Sequence, residues 1–99
     1  MKTTLEVNGK DIPLNRFVTS FLGNLVLGIA ESLKEGEAFK SVSLEIDEKD
    51  VLLQADGQPI PVIKSFAKNL IARTVKRAIR SLRGTEGAKR IAVRVEMSI

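Results

Sequence analysis

One eight-residue phrase occurs twice in the chain, as VNGKDIPL at 7–14 and as ADGQPIPV at 55–62. At this constant offset of 48 residues Leu5 matches Leu53, Gly9 matches Gly57, Ile12 matches Ile60 and Pro13 matches Pro61. Gly36 and Gly84 keep the same offset, and one residue of slippage then aligns SVSLEID with RIAVRVE. Each phrase is built from scaffold chemistry. Asn8-Gly9 and Asp56-Gly57 are pairs that tolerate positive φ, as two-residue hairpin turns require. Each Ile-Pro fixes φ where extended chain enters a helix. The repeat therefore predicts one domain over residues 1–99, made of two tandem halves of about 1–48 and 49–99.

Between the turn signals the apolar periodicity changes in a regular way. The stretch TTLEV alternates, as a strand with one buried face does. Phe17, Val18, Phe21, Leu22, Leu25, Val26, Ile29 and Leu33 then recur at spacings of three and four, which predicts a helix with a wide apolar stripe. Gly36 supplies a left-handed stop. Val42, Leu44 and Ile46 form one face of the next strand, and the polar run Asp47-Glu48-Lys49-Asp50 turns it into VLLQA. The second half repeats the order, with KSFAKNLIARTVKRAIRSLRG as its helix.

Two such units in tandem give strand, helix, strand, strand, helix, strand, the order of a split β-α-β arrangement. In element order the chain resembles the ferredoxin-like superfold over nearly its whole length. That resemblance implies an α+β sandwich with four antiparallel strands in the order 4-1-3-2 and both helices on one face. Short extra hairpin strands are expected after Asn8-Gly9 and Asp56-Gly57. The superfold hosts many functions, so the likeness carries no activity.

Missing residue types narrow the chemistry. The chain has no histidine and no cysteine, which removes the usual near-neutral general base, the thiolate nucleophile and sulfur-type zinc sites. No catalytic residue, metal or cofactor is expected, and the chain is read as a non-enzyme. The carboxylates Glu45, Asp47, Glu48 and Asp50 read as a solvated turn. No targeting segment or membrane span is visible, so a cytoplasmic setting is expected.

Charge is unevenly distributed. Residues 62–99 hold ten Lys or Arg against Glu86 and Glu96, a net of +8, whereas residues 1–61 hold six against ten acids, a net of −4. Projected at about 100° per residue, the second helix gathers Ile63, Ala67, Leu70, Ile71, Thr74 and Ala78 on one side. Arg73, Lys76, Arg77, Arg80 and Arg83 gather on the other. With Lys89 and Arg90 they form a candidate phosphate-binding surface, and nucleic acid is the alternative partner. The sheet face left open by the helices is expected to carry Thr4, Glu6, Ser43, Glu45, Leu52, Gln54, Ala92, Arg94 and Glu96. It has none of the aromatics on which RNA-recognition sheets of this topology stack bases. Gly84-Thr85-Glu86-Gly87 has the spacing of a KH-type GxxG loop, but it links a helix to a strand and reads as a helix stop.

The first helix offers a different surface. Arg16, Thr19, Ser20, Gly23, Leu27 and Glu31 lie opposite its apolar stripe, and a mid-helix glycine costs about 1 kcal/mol relative to alanine. Close approach of another backbone would explain Gly23, so Thr19, Ser20, Gly23 and Leu27 are the expected contact of a homodimer. The favoured function on sequence grounds is a self-associating interaction module.

Overall fold

The computed structural model describes residues 1–97 and shows an α+β protein, with two helices packed on a six-stranded antiparallel sheet. In chain order the elements are β1 (Lys2–Val7), β2 (Lys10–Asp11), α1 (Arg16–Leu33), β3 (Ser41–Ile46), β4 (Val51–Ala55), β5 (Gln58–Ile60), α2 (Ser65–Ile79) and β6 (Ile91–Glu96). The two turn pairs do what their chemistry dictates. Asn8 and Gly9 have φ of 52° and 83°, and Asp56 and Gly57 have 50° and 80°, so each pair closes a tight hairpin that adds β2 to β1 and β5 to β4. Asn15 starts α1 by accepting a 2.8 Å hydrogen bond from the Val18 amide.

The sheet order is β2-β1-β6-β3-β4-β5. Counting only the four principal strands in chain order, this is 1-4-2-3 and not the expected 4-1-3-2. The hairpins explain the difference. β2 occupies one edge of β1, while β3 and β5 occupy both edges of β4. Neither β1 nor β4 is then free to sit between two principal strands on the far side of a helix. The centre goes to β6 and β3, the strands that follow the helices, and these pair with each other. Exchanging the two halves of the chain turns the sheet order into its own reverse, so β1 corresponds to β4, β2 to β5 and β3 to β6.

Register runs straight across the sheet. Leu5, Val93, Leu44, Leu53 and Ile60 are successive cross-strand partners and all are buried. Against this row α1 buries Leu22, Val26 and Ala30, and α2 buries Ile71, Val75 and Ile79. The opposite sheet face is open to solvent, and Thr4, Glu6, Ser43, Glu45, Leu52, Gln54, Ala92, Arg94 and Glu96 lie on it as expected. Both sheet edges are poor templates for further pairing: β2 is two residues long and β5 carries Pro59, which has no N–H.

Both helices are rotated from the orientation their periodicity suggests. α1 buries Leu22, Gly23, Val26, Leu27 and Ala30, roughly a quarter-turn away from the expected stripe. Two contacts on β1 set this rotation. The Thr3 hydroxyl donates to the Thr19 carbonyl at 2.8 Å, and Gly23 lies so close to Met1 and Thr3 that a Cβ there would stand 2.7 Å from Thr3 Oγ1. The glycine lets the helix settle on the strand. The consequence is that Phe17 and Phe21 face solvent.

Candidate interaction surfaces on the helix layer

The expected dimer contact of Thr19, Ser20, Gly23 and Leu27 is not on the outside. Gly23 and Leu27 are buried against the sheet, Thr19 is half-buried with its carbonyl bonded to Thr3, and only Ser20 is exposed. The glycine was a true signal of close approach, but what approaches it are the Met1 and Thr3 side chains of the same chain.

What the rotation exposes instead is an apolar row. Phe17, Phe21, Leu25, Ile29 and Leu33 follow one another at four-residue spacing on α1, and such a row stands out as a ridge on a helix surface. Phe17 and Phe21 stack with ring centroids 5.8 Å apart. On α2, Phe66 and Leu70 are the structural counterparts of Phe17 and Phe21, at the same depth in their helix and similarly exposed. Between the helices runs a groove of about 510 Å³, with Leu25, Ile29 and Leu33 on one wall, and Phe66, Leu70 and Ile71 on the other. Gly28 also borders the groove, and open space lies where its Cβ would be. Phe66 escaped the sequence reading altogether, and Phe17, Phe21 and Leu33 were assigned inward. The readable signal was Phe17-x3-Phe21 returning as Phe66-x3-Leu70 at an offset of 49 residues.

The C-terminal half of α2 is of opposite character. Arg73, Lys76, Arg77, Arg80 and Arg83 are all exposed, but α2 ends at Ile79, so Arg80 and Arg83 lie in the turns beyond the helix and not on its face as expected. Among the described residues the ion pair is Lys68–Asp50 at 3.0 Å, and none of these five cations takes part in one. Lys76, Arg77 and Arg80 line a second groove, closed by Thr85, Glu86, Gly87 and Ala88. The segment beyond the helix is firmly built. The Thr85 hydroxyl is placed to donate to the carbonyls of Ile79 and Leu82, at 3.0 and 2.8 Å, and the Gly84 amide donates to Glu86 at 3.1 Å. Lys89 is exposed beyond this groove. Arg90 leaves the basic surface: it borders a depression on the open sheet face with Glu6, Glu45 and Asp47. The positive surface thus ends short of Arg90.

The acidic turn has structural duties. Asp47 accepts from the amides of Lys49 and Asp50, both at 2.7 Å, and these bonds hold its carboxyl below the ordinary aspartate range, with Arg90 adding a smaller effect. Asp50 is lowered first by Lys68 and then by the Val51 amide. Among the described residues no cluster of three carboxylates comes together to hold a metal ion, and no helix is long and apolar enough to cross a membrane.

Compared with protein-family models, curated proteins and solved structures, the chain has no match.

Proposed function

We propose that this protein is a non-catalytic interaction module that assembles with a second copy of itself through its helix layer. The observation that carries this reading is the exposed apolar surface on and beside the helices. Phe17, Phe21, Leu33, Ile63, Phe66 and Leu70 are 72%, 49%, 38%, 82%, 76% and 56% exposed. At roughly 150–250 Å² for a fully exposed aromatic side chain and somewhat less for an aliphatic one, these six leave on the order of 600 Å² of apolar surface in water. A standard interface takes roughly 800 Å² from each partner, so these side chains alone supply most of one side.

A second copy suits this surface for a geometric reason. The two halves of the fold carry equivalent ridges, Phe17–Phe21 on α1 and Phe66–Leu70 on α2, and the second of these borders the groove between the helices. A surface made of matched ridges and a groove is close to self-complementary, as an isologous twofold contact demands. The sheet edges, blunted by Pro59 and by the brevity of β2, favour the helix layer over edge-to-edge pairing.

Sedimentation velocity from low to high micromolar concentration tests the reading. The wild type should move from monomer to dimer across that range. The variants F66D and L70D, altered at exposed positions, should stay monomeric with unchanged circular dichroism. A wild type that remains monomeric throughout, or exposed-ridge variants that still dimerise, would overturn it.

A further inference from the structure

The geometry points to the sugar-phosphate backbone of a nucleic-acid duplex as the ligand of the C-terminal end of α2 and the turns that follow it, bound through Arg73, Lys76, Arg77, Arg80 and Arg83. This inference does not rest on self-association, because it uses none of the apolar ridge.

Three observations carry it. First, the cations are uncommitted. Basic side chains near a helix C-terminus ordinarily cap its carbonyls or answer its dipole. Here the carbonyls of Ile79 and Leu82 are served by the Thr85 hydroxyl and that of Arg77 by the Arg80 amide. Among the described residues the five side chains form no ion pair.

Second, the surface is of one sign. No Asp or Glu occurs between Asp56 and Glu86, a run that includes all of α2. From Arg73 to Arg83 there are five cations in eleven residues. Three of them, Arg73, Lys76 and Arg77, fall in the last seven residues of α2, which at about 1.5 Å rise per residue is roughly one positive charge per 3.5 Å of helix, and Arg80 and Arg83 follow in the turns beyond it. A duplex presents about one negative charge per 1.7 Å of its axis, without intervening cations. Acidic protein surfaces normally intersperse both signs, and such a surface would bring its own lysines against these arginines. Four of the five cations are arginine, whose planar fork takes two phosphate oxygens at once.

Third, the lining suits a backbone and not stacked bases. The groove of Lys76, Arg77, Arg80, Thr85, Glu86, Gly87 and Ala88 contains no aromatic ring. Single strands are held by stacking on aromatic side chains, so this surface offers them only charge. Glu86, at the rim, is the one opposing group. Its carboxylate accepts from the Gly84 amide and places a negative charge beside the phosphate path.

The test is fluorescence anisotropy with a labelled, mixed-sequence DNA duplex. If three phosphates are contacted, the slope of log K against log salt is about −2.7, and affinity falls roughly fortyfold between about 50 and 200 mM salt. The double variant R77Q/R80Q should lose nearly two from that slope and most of the low-salt affinity. E86Q keeps an acceptor for Gly84 and removes the opposing charge, so it should bind several-fold more tightly. K10Q/K34Q, with two exposed lysines changed elsewhere, should bind nearly as the wild type. Four results would overturn the assignment: no binding at low salt, equal losses in R77Q/R80Q and K10Q/K34Q, tighter binding of the single strand, or equally effective competition by polyglutamate. The last would assign the surface to an acidic protein.

Discussion

Asn8 and Asp56 hold the same left-handed turn position in the two halves of the chain, and each reaches across to fasten a strand of the other half. Asn8 Oδ1 accepts from the amides of Lys89 and Arg90, at 2.9 and 3.0 Å, where β6 begins. Asp56 Oδ1 accepts from the amides of Lys40 and Ser41, both at 2.9 Å, where β3 begins. The backbone follows suit: the Asn8 amide donates to Arg90 and the Asp56 amide to Ser41. A turn residue chosen for positive φ thus also sets the register of a neighbouring strand.

Replacing either residue with alanine removes both functions at once. A side chain with little tolerance for positive φ is forced into it, and two backbone amides at the entry to a strand lose their acceptor. Asn8→Ala and Asp56→Ala should each cost about 1–3 kcal/mol. Asp56→Asn keeps the acceptor and the turn tolerance and should cost less than Asp56→Ala. Urea unfolding of the three variants checks the ranking.

The two mid-helix glycines separate by the space around them. Gly23→Ala drives a methyl toward Met1 and Thr3, and should destabilise the monomer by about 1–3 kcal/mol through overpacking. Gly28→Ala meets open space and should stabilise the monomer by up to about 1 kcal/mol through helix propensity. Its methyl would also border the apolar groove, so the same substitution should weaken the proposed self-association several-fold. Unfolding measured under dilute conditions, paired with sedimentation, reads both effects.

Thr85 is buried, and its hydroxyl lies within hydrogen-bond distance of the buried Ile79 carbonyl and the part-buried Leu82 carbonyl. Thr85→Val keeps the shape and leaves those acceptors without it. The expected loss is about 1–3 kcal/mol. Thr85→Ser should recover part of it, since the hydroxyl returns without the methyl. Thermal unfolding of both variants checks this pair.

Acid should loosen the β3–β4 turn. Asp47 and Asp50 have lowered pKa values in the folded protein, so the stabilisation they give is complete above the ordinary aspartate pKa. It declines as pH falls from there through the lowered folded values. Asp47→Asn and Asp50→Asn should flatten the acid side of the stability profile. Carboxyl resonances of the two side chains, followed by NMR through that range, should titrate below those of a solvated aspartate.

The strands were readable because only one of their faces is buried: in SVSLEI and VLLQA a period of two leaves a single consistent choice. The hairpin turns were readable because Asn-Gly and Asp-Gly have few other uses. Helix rotation was not readable. α1 carries Leu22, Val26, Leu27 and Ala30 on one side and Phe17, Phe21, Leu25, Ile29 and Leu33 on another, more apolar surface than the sheet covers. Periodicity cannot rank two apolar sides; the Thr3–Thr19 hydrogen bond and the small size of Gly23 do. The same limit hid the apolar groove, while the basic face of α2 was legible because no arginine competes for the core. Strand order depended on a consequence of the turns, namely that β2 and β5 use up edges that the four-strand arrangement needs.

The central position of β6 also governs how the molecule comes into being. β6 is the last of the six strands to leave the ribosome, and it must enter between β1 and β3. Until then the β1–β2 hairpin and the β3–β4–β5 meander are separate pieces, each with an unsatisfied edge. The sheet therefore closes by insertion at its middle and not by growth at a margin. Pairing Lys2 with Glu96 joins residues from opposite ends of the sequence, which places this chain among those whose folding rate is limited by distant contacts.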